Sequence, residues 1–168
     1  MNITLKKSFI ILLGFMVIGC SYAKDQKTTA YPAKACEQAK LGQLNIENLK
    51  IDNPHINAYL LNCAVSVVIS EVSFRSGSHK GSDKKKKKQR IADYLLAQDL
   101  DLAFQNEDGD NLLMAVITSF LSEPWKEKAV TTLLKNGIDP KAKNPQGDTA
   151  LDIAKFKGNE RIIKLVSY

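Results

Sequence analysis

Residues 144–166 read NPQGDTALDIAKFKGNERIIKLV. The spacing predicts a polar turn, a short helix, a tight turn and a second short helix. Gly147 and Asp148 supply the turn chemistry. Thr149, followed three residues on by Asp152, is a capping-box pattern that opens a helix. Leu151, Ile153, Ala154 and Phe156 give that helix an apolar side, and Gly158 stops it. Asn159 is placed to cap the next helix, along which Ile162, Ile163, Leu165 and Val166 fall at helical spacing with Lys164 facing outward. Each helix has one apolar face, and the pair cannot bury both alone, so like neighbours are needed to stack on.

Such a neighbour lies upstream at a constant offset. Leu95, Leu96, Asp99, Leu100, Asp101 and Gly109 recur as Leu133, Leu134, Gly137, Ile138, Asp139 and Gly147, and Leu113 recurs as Leu151 in the same register. Over roughly 90–166 the chain resembles the ankyrin repeat. The run from Gly147 to Ala154 is similar to that family's G-x-T-P-L-H-x-A, with Ala150 for Pro and Asp152 for His. Leu133 to Asp139 is similar to its L-L-x-x-G-A-D, and Gly158-Asn159 stands where the family has Gly-His. The family period is about 33 residues, shorter than the step from Leu95 to Leu133, so this chain carries insertions. The resemblance implies an all-α solenoid of about three repeats with an N-terminal capping helix over 33–168. It also implies a binding face formed by inner helices and projecting fingers. It implies no particular function.

Positions 1–19 read as a targeting signal. Lys6 and Lys7 precede an apolar run from Ser8 to Ile18, too short to span a membrane stably. Val17-Ile18-Gly19-Cys20 resembles the bacterial lipobox, which implies cleavage before Cys20 and acylation of that residue. Several acyl chains hold a protein on a membrane where one does not. Ser21 in place of Asp after the cysteine points by the usual sorting rule to the outer membrane, facing the periplasm. Residues 20–32 are expected to be a flexible tether.

Composition bounds the rest. Removing Lys6 and Lys7 leaves 22 basic against 18 acidic side chains, a mature charge of +4. Only Cys36 and Cys63 remain after Cys20. An even pair in an exported chain reads best as a disulfide, with two buried free thiols as the alternative. Residues 33–43 read as a closing helix, and 55–73 as a long apolar helix carrying Tyr59, Leu60, Ala64, Val67, Val68 and Val72. The stretch 75–90, RSGSHKGSDKKKKKQR, reads as a basic loop through Lys84, Lys85, Lys86, Lys87 and Lys88. A solvated loop, a contact with anionic lipid and a contact with an acidic protein all fit it. Nucleic acid does not, since no aromatic residues are interleaved for stacking.

Leu112, Leu113, Val116, Ile117 and Phe120 predict a second inner helix, and 126–135 its outer partner. Between them lies Trp125, the only tryptophan, read either as packing on its own helix ends or as an interface anchor. The insertions 75–88 and 119–127 both fall between inner and outer helices, so they are expected on one rim, away from the fingers. The fingers carry Asp101, Asn106, Glu107, Asp108 and Asp110, then Asp139, Lys141, Lys143 and Asn144. These apart from Asn144, together with Trp125, are the candidate partner-binding residues.

Catalysis finds no pattern. His55 and His79 are the only histidines, and there is no HExxH, P-loop or glycine-rich nucleotide fingerprint. Gly77-Ser78-His79-Lys80-Gly81 has His where a nucleophile elbow needs Ser. The reading is therefore a non-enzymatic protein-binding module, with no cofactor, metal or small-molecule substrate. Its architecture resembles small exported ankyrin-like lipoproteins that protect bacteria from type VI secretion lipase effectors. An envelope scaffold or stress-protection protein is the alternative.

Overall fold

The computed structural model describes residues 26–66 and 79–167. The signal, Cys20 and residues 67–78 lie outside them. Seven helices occupy the described residues: α1 Gln26–Leu41, α2 Pro54–Val65, α3 His79–Leu96, α4 Leu112–Thr118, α5 Glu123–Lys135, α6 Ala150–Lys157 and α7 Glu160–Val166. The chain is all-α there, with a single isolated antiparallel bridge, Gln105 to Asn111.

Local chemistry sets the helix starts. Asn53 Oδ1 accepts from His55 N and Ile56 N, with Pro54 in the first turn of α2. Asn111 caps α4 through Met114 N, and Asn159 caps α7 through Ile162 N. Thr149 and Asp152 form the full capping box of α6, as their spacing predicted. At the far end of α6, Gly158 takes φ +67°, a conformation that costs glycine little.

Helices pair as they come, α2 with α3, α4 with α5 and α6 with α7. Inner helices α2, α4 and α6 pack in succession, and outer helices α3, α5 and α7 form a second row. α1 closes one end against α2 and α3. One continuous core runs through both rows, and Leu112 to Ile117 of α4 are all buried in it. The Cys36–Cys63 disulfide, with Cα atoms 5.3 Å apart, staples α1 to α2.

Several expectations are corrected. α2 ends at Val65 rather than running to 73: Ser66 turns to ψ +147° while its hydroxyl donates to Asn62 O. Residues 67–73 lie outside the described residues. α1 begins at Gln26, so the tether expected over 20–32 gives way to helix from that point on, with Pro32 inside the helix. The basic stretch is not a loop, because Lys84 to Lys88 lie within α3. Straight-chain lysine loses little freedom in a helix, and apolar Ile91, Ala92 and Leu95 seat the following turns in the core. α5 starts at Glu123, ahead of the expected 126, since proline in a first turn removes no bond the helix needs.

Candidate functional site

Two contacts fix which way the pairs run. Lys88 Nζ donates to Ser66 O at 2.7 Å, so the lysine-rich start of α3 sits at the C-terminal end of α2. Asp101 N donates to Pro54 O at 3.0 Å, so the loop after α3 sits at the opposite end of α2. The stack thus has two edges: fingers on one, helix-to-helix turns on the other.

The fingers are built alike. Asn106 N donates to Asp110 O at 2.9 Å, Gly109 N to Asn106 O at 3.0 Å and Asp110 N to Asn106 Oδ1 at 2.8 Å. One repeat further on, in the same order, Asn144 N donates to Asp148 O at 3.0 Å, Gly147 N to Asn144 O at 2.9 Å and Asp148 N to Asn144 Oδ1 at 2.9 Å. At their bases, Asp101 and Asp139 each accept from the backbone N–H two residues ahead, Ala103 and Lys141. The fingers also brace each other. Asn144 Nδ2 donates to Asp110 Oδ1 at 2.9 Å, and the Pro145 ring lies over Gly109.

The proposed finger residues therefore divide. Asn106, Asn144, Asp101, Asp110 and Asp139 hold the loops in shape through these bonds. Glu107, Asp108, Lys141 and Lys143 are exposed. The first finger, 101–111, contains the carboxylates Asp101, Glu107, Asp108 and Asp110 and no lysine or arginine, so it carries net negative charge along its own sequence.

Sequence reasoning missed one pair. His55 Nδ1 lies 2.8 Å from Asp101 Oδ2, clipping the start of α2 to the base of the first finger, with the imidazole edge-on to Phe104. The hydrogen bond from His55 holds the Asp101 carboxyl below the usual carboxylate range, and the Ala103 N–H adds to it. The residues are 46 positions apart, and no local pattern links them.

Trp125 is corrected. It is 3 % exposed, and its Nε1 donates to Asp93 Oδ1 of α3 at 3.1 Å. It packs α5 onto α3 and presents no surface for a partner to grip. It does lie toward the turn edge, as the lysine run does, but beneath it.

That turn edge is continuous. The Ser122 hydroxyl of the α4–α5 turn donates to Gln89 Oε1 of α3, next in sequence to Lys88. Asn159 of the α6–α7 turn donates to Glu123, which also holds Lys126 at 2.5 Å, and Arg161 pairs with Glu127 at 3.2 Å. A cleft of about 530 Å³ opens between these two turns, lined among others by Ser119, Phe120, Lys157 and Arg161. Ser119 is buried with no hydrogen-bond partner for its hydroxyl. Phe120 and Phe156, both expected on apolar helix faces, are instead 67 % and 87 % exposed. Phe120 lies two residues beyond the end of α4, and Phe156 lies in the last turn of α6, on the side away from buried Ala150 and Ala154.

Within the run, Lys88 is the exception. Burial lowers its pKa, and the charges of Lys84 and Lys40 lower it further. Lys85, Lys86, Lys87 and Arg90 are exposed. No cluster of three or more His, Cys, Asp or Glu side chains suited to a metal occurs among the described residues. No described helix is long and apolar enough to cross a membrane. No protein-family profile matches the chain, and no characterised protein matches it.

Proposed function

We propose that this chain is a lipid-anchored, periplasm-facing ankyrin-type solenoid that binds another protein, and specifically an immunity protein that neutralises a secreted antibacterial lipase-type effector. The observation that carries the reading is the pair of braced fingers, one strongly acidic, projecting from a two-row helical stack. An edge of this kind meets a polypeptide surface by charge and shape. Its carboxylates favour a partner with a basic face, since complementary charge raises association rates and rejects wrong partners. Acylation at Cys20 would keep the binder where a membrane-attacking enzyme arrives.

Recovery from cell envelopes tests this. The full chain is expected to bring down a stoichiometric effector and to protect cells that are challenged with it. Reversing Glu107 and Asp108 to Lys is expected to weaken the complex by at least about tenfold. Recovery with a resident envelope protein and no protection assigns the chain to scaffolding instead. Unchanged fractionation of Cys20→Ser removes the anchor.

A further inference from the structure

The turn edge combines two features that the protein-binding reading does not use. One is the exposed cationic start of α3, and the other is a pair of phenylalanines left in solvent. We infer that this edge is a bilayer-contact surface: the α3 lysines meet anionic lipid headgroups, and Phe120 and Phe156 enter the interfacial layer.

The geometry makes one surface of these parts. From the lysine run, the chain of contacts passes from Gln89 to Ser122, two residues beyond Phe120. From Phe120 it crosses the cleft to Lys157, beside Phe156. Lys157 Nζ stands 5.9 Å from the centre of the Phe156 ring. Lysine beside exposed aromatic rings is the composition of a peripheral membrane face, because the cation reaches the headgroups while the ring leaves water. A soluble acidic partner would account for the lysines but not for the two rings at the far turns.

Charge layout agrees. Among the described residues of this edge, Glu123 is bonded to Lys126 and Asn159 and Glu127 to Arg161, while Asp83 and Glu160 are exposed. The acidic first finger lies on the opposite edge, about 18 Å away by the length of the twelve-residue α2. An anionic bilayer therefore attracts one edge and repels the other, turning the fingers outward. Lys88 is spent on Ser66 and fixes the rotation of α3, so that Lys85, Lys86 and Lys87 stay outside.

The inference rests on the envelope placement proposed above but not on the protein partner. Its test uses the full chain with Phe120→Trp as a reporter. Trp125 is buried and gives a constant background. The protein is reconstituted with vesicles of phosphatidylcholine alone, or of phosphatidylcholine with phosphatidylglycerol. The expected result is a blue-shifted reporter quenched by brominated acyl chains only when phosphatidylglycerol is present. K85Q/K86Q/K87Q should lower the ratio of docked to free edge by about a hundredfold, at roughly fivefold per lysine, and added salt should mimic it. Unchanged far-ultraviolet circular dichroism of that variant excludes misfolding. Emission that ignores phosphatidylglycerol, or a shift that survives the triple substitution, overturns the inference. Capture of the protein partner by the same variant reports separately on the binding function.

Discussion

The N-terminal unit, α1 to α3, and the C-terminal pairs, α4 to α7, reach the same stacking by different means. The C-terminal pairs use short helices joined by turns whose hydrogen bonds recur one for one from the first finger to the second. Each turn is written locally, in Gly109 and Gly147, in Asn106 and Asn144, in Asn111 and Thr149. The N-terminal unit has longer helices and is held by contacts between distant residues. These are the Cys36–Cys63 bond, Lys88 on Ser66, and the Asn57 amide donating to Ile51 O at 3.2 Å and Asp99 O at 3.0 Å. Local turn chemistry scales along a stack. The N-terminal unit adds ties across its own helices to the packing it shares with α4 and α5.

The largest expected effect removes the strongest such tie. Replacing Cys36 and Cys63 by Ala opens a loop with 27 residues of sequence separation and is expected to cost about 3.5 kcal/mol in the chain-entropy model. Hydrogen exchange should show that loss concentrated in α1 to α3. Equal loss of protection across α4 to α7 would mean that the two regions are not separable.

A smaller effect sharpens the comparison inside the repeat. Gly109 and Gly147 occupy equivalent places at φ +77° and +90°, so alanine at either costs about 1–2 kcal/mol of backbone strain. A Cβ on Gly109 would also stand 2.3 Å from Pro145 Cδ, whereas one on Gly147 meets nothing within 4 Å. Gly109→Ala is therefore expected to lower stability by about 1–3 kcal/mol more than Gly147→Ala, read from urea midpoints. Equal values would show that the fingers are not pressed together.

The smallest effect lies where the two regions meet, at His55 and Asp101. Asp101 is held below its ordinary value in the folded chain, so the stability it adds is fully present above about pH 4. That stability disappears as pH falls through the lower folded value. Asp101→Asn should lower the denaturation midpoint slightly at neutral pH and flatten its acid limb. A limb unchanged by the substitution would remove the clip from the account.

What could be read in advance follows the same division. The capping box at Thr149, the stop at Gly158 and the repeated fingers were legible because each is decided within a few residues. The start of α3 was not, since Ser, Gly and Lys in a row read as loop, and what seats the helix is Ser66 and the core under Ile91. Trp125 stayed open between packing and an interface because its partner, Asp93, lies 32 positions away. Phe120 and Phe156 fitted the apolar period, but α4 ends at Thr118, before Phe120, and α6 turns Ala150 and Ala154 rather than Phe156 to the core. The exposed part of the finger edge was named in advance; the bracing between fingers needed coordinates.

That bracing has a consequence for recognition. With Asn144 locked on Asp110 and Pro145 seated over Gly109, neither loop can bend without moving the other. A visitor meets a stiff, ready-shaped ledge, and little ordering is lost as it lands. Selectivity then resides in the shape of the ledge itself, so loosening Asn144 should blunt discrimination between related visitors even where every outward-facing charge is kept.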